Sequence, residues 1–323
     1  MEEEYTLSVN VKPIEIGDAT NPAKVSRIHS LFAALESALT ILGEPYDYNF
    51  LMGISGHAFR LMIYKSGIYV EQPDDCQTHY FKFHTLEAIG YQEKMGSQFC
   101  DGAGYKDEEI TSAIKDSLAK GIPALIWHSH PYWGVVIGYK DQSFIINAGN
   151  GERIKLEKIK ASGFHIFKKT AGANLGASVR NSFKIVLDYA FRKRMPKGST
   201  SWFHKNFSGL AAYERWISHL KHKRVEDSHS NWWNYVTLLD SRKAALAHLK
   251  DIRKFYANQA LEEINVLFDK YEMIGNYLHQ NLIYFPKDNV TSTTEEGAIT
   301  ALKRIAEMEK EAFKFIKTSK LCD

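Results

Sequence analysis

At 323 residues the chain exceeds what one hydrophobic core usually fills, ~250–300 residues, so two domains are expected. Its 44% apolar and 24% charged content is that of a globular protein, and a net charge of only +3 excludes the broad basic field that nucleic acid or an anionic membrane would need. Cys76, Cys100 and Cys322 form no C-x-x-C pair and do not make a disulfide scaffold; the acidic start has no signal-like apolar run, and no stretch approaches the ~18 apolar residues of a membrane span, so a cytoplasmic protein is expected.

The first element is a helix over Ser26–Leu42, where Ile28, Leu31, Phe32, Leu35, Leu39 and Leu42 recur at three- and four-residue steps before Gly43. A glycine-rich turn, Gly53-Ile54-Ser55-Gly56, leads into Ala58–Tyr64, which reads as a strand. A second helix is expected over Asp107–Lys120, stopped by Gly121 with Pro123 beyond. Pro123–Trp127, Trp133–Tyr139 and Ser143–Asn147 are β-rich, the last two joined by the polar turn Lys140-Asp141-Gln142 as an antiparallel hairpin. A further strand is expected at Gly163–Lys168.

From Ala173 onward the period becomes helical. Val179–Phe191, Gly209–His222, Asn231–Phe255, Ala260–Leu282 and Glu295–Ile316 carry it, with Ser208 as N-cap of the second segment and Pro286 closing the fourth. Met195–Thr200, Val225–Ser230 and Lys287–Thr294 read as loops. The spacing predicts an α/β domain over residues 1–170 and an all-helical bundle over 173–323.

Several clusters invite chemistry. His57 and Arg60 flank the glycine turn, where a positive pair beside backbone N–H groups could hold a carboxylate or phosphate; two solvated side chains on a tight turn is the plainer reading. Cys76, His79 and His84 match no zinc pattern, and His128 with His130 supply too few ligands, so no metal or other cofactor is expected. Trp202, Trp216, Trp232 and Trp233 sit at spacings more typical of core than of a ligand box.

His29-Ser30-Leu31-Phe32 with Leu35, Leu39 and Leu42-Gly43 resembles the opening helix of bacteriocin leader peptidases, and more closely that of the papain-like N-terminal domain of butirosin biosynthesis protein H. Gly121-Ile122-Pro123-Ala124 and Gly134-Val135-Val136-Ile137-Gly138-Tyr139 are similar to the family's strand entry and histidine strand. Gly209-Leu210-Ala211-Ala212-Tyr213-Glu214-Arg215-Trp216-Ile217 and Ser241-Arg242-Lys243-Ala244-Ala245 resemble its helical domain. The resemblance implies a papain-like acyltransferase or peptidase fold, with a nucleophile at the helix start where the dipole stabilises an anion. A histidine on the later strand and an orienting Asn or Asp complete that family's site.

In this chain the nucleophile position holds Ser30, the histidine position Tyr132, and the orienting position Asn147; no glutamine precedes Ser30 to supply the oxyanion side chain. His130, one side-chain repeat before Tyr132, could act as base for Ser30. Ser30 could equally be an N-cap, or replace a natural cysteine. His29, His57, Arg60, Tyr132 and Trp133 are the expected binding residues. The leading expectation is a degenerate papain-like protein that binds an acyl, peptidyl or amino-sugar ligand, free or on a carrier protein, in the former cleft. The alternatives are an active acyltransferase or hydrolase using Ser30, His130 and Asn147, and a partner-binding protein acting through its helices.

Overall fold

The computed structural model describes residues 4–7, 14, 21, 24–73, 81–98, 105–129, 132–141, 143–149, 152–156, 163–170, 172–192, 206–289 and 291–323. In chain order these form β1 (Glu4–Thr6), α1 (Ser30–Ile41), the short helix α2 (Tyr48–Ile54), β2 (Met62–Ile63), β3 (Tyr91–Gln98) and α3 (Asp107–Ala119). Strands β4 (Ala124–Ser129), β5 (Tyr132–Lys140), β6 (Ser143–Asn147), β7 (Arg153–Leu156) and β8 (Gly163–Lys169) follow. Helix α4 (Leu175–Phe191), strand β9 (Phe207–Ser208) and helices α5 (Leu210–Lys221), α6 (Ser228–Ile252), α7 (Asn258–Asn281) and α8 (Ser292–Thr318) complete the chain. The residues cluster into two compact units. Unit 1 comprises Met1–Gly17, Arg27–Leu51 and Gln77–Ala173; unit 2 comprises Asp18–Ser26, Met52–Cys76 and Asn174–Asp323.

Unit 1 is built on a 7-stranded antiparallel sheet in the order β3-β8-β4-β5-β6-β7, with β1 paired to the end of β5. Its centre is the β-branched run Val135-Val136-Ile137, buried on both faces, where such side chains pack well. One face carries Ile126, Val136, Ile146, Phe164 and Ile166, packed with Ile110, Ile114 and Leu118 of α3; that four-residue spacing puts the three α3 side chains on one stripe. Asp107, Glu108 and Glu109 occupy the first turn of α3, where acidic groups suit the helix dipole, and Gly121 ends it at φ +74. The other face meets α1, which packs against β5 and β4. Helix α1 starts later than its apolar spacing predicts because Arg27 adopts a left-handed backbone, φ 57. The Arg27 guanidinium instead forms an ion pair with the buried Glu36 of α1.

In unit 2, α8 packs against α4, α5 and α7. Its buried stripe, Ala298, Leu302, Ile305, Glu309, Phe313 and Ile316, has one charged member. Glu309 pairs with Arg242 of α6, and both are enclosed, at 1% and 0% exposure. Arg242 Nη1 also donates to the carbonyls of Ala58 (2.9 Å) and Arg60 (3.1 Å), and Nη2 to the Tyr213 hydroxyl (3.4 Å). The two helical segments singled out by resemblance, around Tyr213 and around Arg242, therefore meet in one polar core.

That core corrects the strand expected over Ala58–Tyr64. His57–Phe59 is a 3₁₀ turn entered from Gly56 at φ 73, and only Met62–Ile63 pairs, with β9. The segment is apolar and buried like a strand, but a distant arginine takes the Ala58 and Arg60 carbonyls in place of a sheet neighbour. Gly53 belongs to α2, and a Cβ there would lie 1.9 Å from His248 Cγ, so the glycine makes room for that ring.

Ser208 is not the cap of α5. Gly209 holds that position at φ 58, where a Cβ would meet the Tyr189 carbonyl oxygen at 2.2 Å, and the Ser208 hydroxyl donates to that oxygen at 3.3 Å. Two expected loops are shorter than their composition predicts. Asp227 starts α6 by accepting from the Ser230 N–H at 2.6 Å, and Thr291 starts α8 by accepting from the Thr294 N–H at 3.2 Å. Met195–Thr200 and Trp202 lie outside the described residues. Among the described residues no helix is long and apolar enough to cross a membrane.

Candidate functional site

The seam between α1 and the sheet of unit 1 holds His29, Ser30, Trp133 and Asn147 among the positions that the sequence singled out. His29 is the N-cap residue of α1 in extended conformation, with no side-chain capping bond, and its backbone N–H donates to the Tyr48 hydroxyl at 3.2 Å. Ser30 is the first helical residue and is 1% exposed. Its Oγ accepts from the Trp133 backbone N–H at 3.2 Å. The N-cap reading of Ser30 is thereby corrected: the hydroxyl joins the helix start to strand β5.

Asn147, 4% exposed, faces the same helix further along. It lies opposite Val135 in the β5–β6 register, and its side-chain amide donates to Ser37 Oγ at 3.2 Å. Ser30 and Ser37 are two helical turns apart, about 10 Å along the axis at 1.5 Å per residue. The two polar contacts are thus separate rivets along one helix.

Tyr132 opens β5 and is 38% exposed, whereas Trp133 beside it is fully buried. Alternation along the strand sends neighbouring side chains to opposite faces. His130, Cys76, His79 and Cys100 lie outside the described residues. His128 sits on the α3 face, because a Cβ on Gly134 would come within 3.1 Å of its ring and 2.6 Å of Ile146 Cγ2. Burial pulls its pKa below the usual histidine value, against the opposing charge of Glu152. Facing away from α1, His128 is not a base for Ser30. Among the described residues no three His, Cys, Asp or Glu side chains converge as a metal site.

A titratable pair on the α1 face escaped the sequence. His165 of β8 is fully buried, and its Nδ1 lies 2.6 Å from Glu93 Oε1. The ring stacks on Trp133 with centroids 5.1 Å apart. A bulge between Glu93 and Met95 in β3 brings the carboxylate across. Gly96, opposite His165, leaves the space: a Cβ there would stand 2.2 Å from Glu93 Oε1 and 3.0 Å from His165 Nδ1. Such a carboxylate fixes which ring nitrogen carries the proton. The register runs His165–Leu125–Val135–Asn147 across the sheet, three strand spacings or about 14 Å, so Asn147 does not orient this ring. The signal available in the sequence was one ionisable residue inside the apolar run Gly163-Phe164-His165-Ile166-Phe167.

His57 and Arg60 belong to unit 2 and are both buried, at 4% each, rather than solvated on a turn. The His57 N–H donates to Ser55 Oγ at 3.2 Å, and the Arg60 guanidinium lies 4.6 Å above the Tyr189 ring. Such stacking is favourable for a partly desolvated guanidinium. No protein-family model matches the chain, and no curated protein matches it.

Proposed function

We propose that unit 1 is a papain-like domain whose former catalytic positions have become packing positions, and that it binds an acyl, peptidyl or amino-sugar ligand without turning it over. One observation carries this reading: the side-chain amide of Asn147 donates to Ser37 Oγ, while Ser30 Oγ accepts from the Trp133 N–H. An orienting asparagine serves catalysis by accepting an imidazole N–H on its oxygen; the Asn147 NH₂ instead ties strand β6 to helix α1. A serine hydroxyl needs an adjacent base to become a nucleophile. The position that the resemblance assigns to that base holds a phenol, Tyr132, in place of an imidazole. Tyr132 is 38% exposed at the start of β5, which suits it instead to contact a ligand.

Wild-type protein and Ser30→Ala, incubated with a panel of carrier-protein thioesters and activated esters, test the reading. Intact-protein mass spectrometry is expected to find no acyl adduct on either, and ligands that protect the wild type against thermal unfolding should protect the variant equally. Ser30-dependent acylation would replace this reading with an active acyltransferase.

A further inference from the structure

Unit 2 contains a pocket of about 200 Å³, the liquid volume of about seven water molecules. Its floor is apolar, made by Leu220, Val225, Pro286 and Ala298, and Tyr284 forms a wall. Gly297 keeps that wall in place, since a Cβ there would sit 2.2 Å from Tyr284 Cδ1. Lys223, Asp227, Asn231 and Glu295 bring the polar groups.

Asn231 is 8% exposed and receives the Trp216 Nε1–H on its Oδ1 at 2.8 Å. An indole nitrogen only donates, so the amide oxygen must be the atom facing it. The NH₂ group is thereby turned the other way, and it has no hydrogen-bond partner among the described residues. It is also not one of the fully enclosed polar atoms, so it opens on the pocket that Asn231 lines. A buried amide donor fixed from behind is ready for an acceptor.

The charges around it are unequal. Lys223 Nζ forms an ion pair with Glu295 Oε2, and Glu295 Oε1 has no partner among the described residues. The Asp227 carboxyl, at the start of α6, is held below the usual carboxylate range chiefly by the Ser230 backbone N–H. Two carboxylates thus face one ammonium, and the lining favours a cation. An added carboxylate on the ligand would be repelled.

We propose that this pocket binds a small primary ammonium compound of amino-acid size. The ammonium joins Glu295 and Asp227, a carbonyl or hydroxyl oxygen accepts from Asn231 Nδ2, and an apolar body fills the floor. The residues are distinct from those of the α1 seam, and the inference does not depend on the function proposed for it.

Saturation-transfer NMR on the full chain tests the assignment with three probes that share one apolar body: leucinamide, isocaproamide, which lacks the ammonium, and leucine, which adds a carboxylate. Leucinamide is expected to bind saturably with a Kd of about 1 mM, and the other two about tenfold more weakly. Glu295→Gln should weaken leucinamide by about tenfold. Lys223→Met, which removes the competing cation, should tighten it, a change that mere destabilisation of the fold does not produce. Absence of leucinamide binding, equal binding of isocaproamide or leucine, or indifference to both substitutions would overturn the proposal.

Discussion

The two units place polar groups in their interiors by different means. Two contacts across the α1 seam of unit 1 join uncharged groups: a serine accepting from a backbone N–H and an asparagine donating to a second serine. In unit 2 a full ion pair, Arg242 with Glu309, lies within the apolar stripe of α8, and its remaining donors are spent on two carbonyls and a phenol. Neutral contacts can be deleted one at a time at modest cost. A buried charge whose partner is removed has nowhere to go.

The largest effect is therefore expected from Glu309→Gln, which leaves Arg242 charged and enclosed. A loss of about 3–5 kcal/mol is expected from urea unfolding, with the Arg242→Met, Glu309→Leu double variant recovering most of it. If the single variant costs no more than a seam contact, the contrast between the units fails.

Acid should act next, through two buried histidines of unit 2. His248 has its pKa pushed down to about 3 by burial. His219, whose Nε2 faces the Tyr64 carbonyl at 2.9 Å, is pushed down to about 4, first by burial and then by Arg215, Arg224 and His222. Both groups belong to unit 2. Unfolded, each takes a proton near pH ~6.5, so the unfolded state binds more protons across the window below it. Their contribution to stability is complete above that pH and falls as pH drops toward 4 and 3. The slope approaches about 1.4 kcal/mol per pH unit for His248, with a smaller share from His219. Urea midpoints between pH 7 and pH 5 measure the slope, and His219→Gln should flatten it.

The smallest effect belongs to the seam. Asn147→Ala is expected to cost about 1–2 kcal/mol, and Ser37→Ala to add little once Asn147 is gone. A strictly additive double variant, read from the same unfolding midpoints, would mean that this hydrogen bond contributes nothing.

The same contrast governs what the sequence made legible. The sheet strands β5 and β6, helix α3 and the α5–α8 helices announce themselves through local period, because each buries a face against its neighbours. Ala58–Tyr64 did not, because the Ala58 and Arg60 carbonyls are taken by Arg242, 182 to 184 positions away. Strand β3 was hidden by its polar composition, Tyr91-Gln92-Glu93-Lys94, and by the bulge that aims Glu93 at His165. Helix α2 was hidden by Gly53, which reads as a turn and instead accommodates His248. At the seam, the sequence pointed to Ser30 and Asn147, but their partners, a backbone N–H and Ser37, emerge only from strand register.

The arginine that reaches back to Ala58 also sets a timetable. A ribosome adding ~5–20 residues per second makes Arg242 roughly 10–40 s after Ala58, and Glu309 later still. Through that interval the apolar run up to Ile63 has left the exit tunnel before β9, its strand partner, or the guanidinium that will occupy its carbonyls. A nascent segment in that condition invites chaperone capture. An early-made piece of unit 2 is among the last to be satisfied.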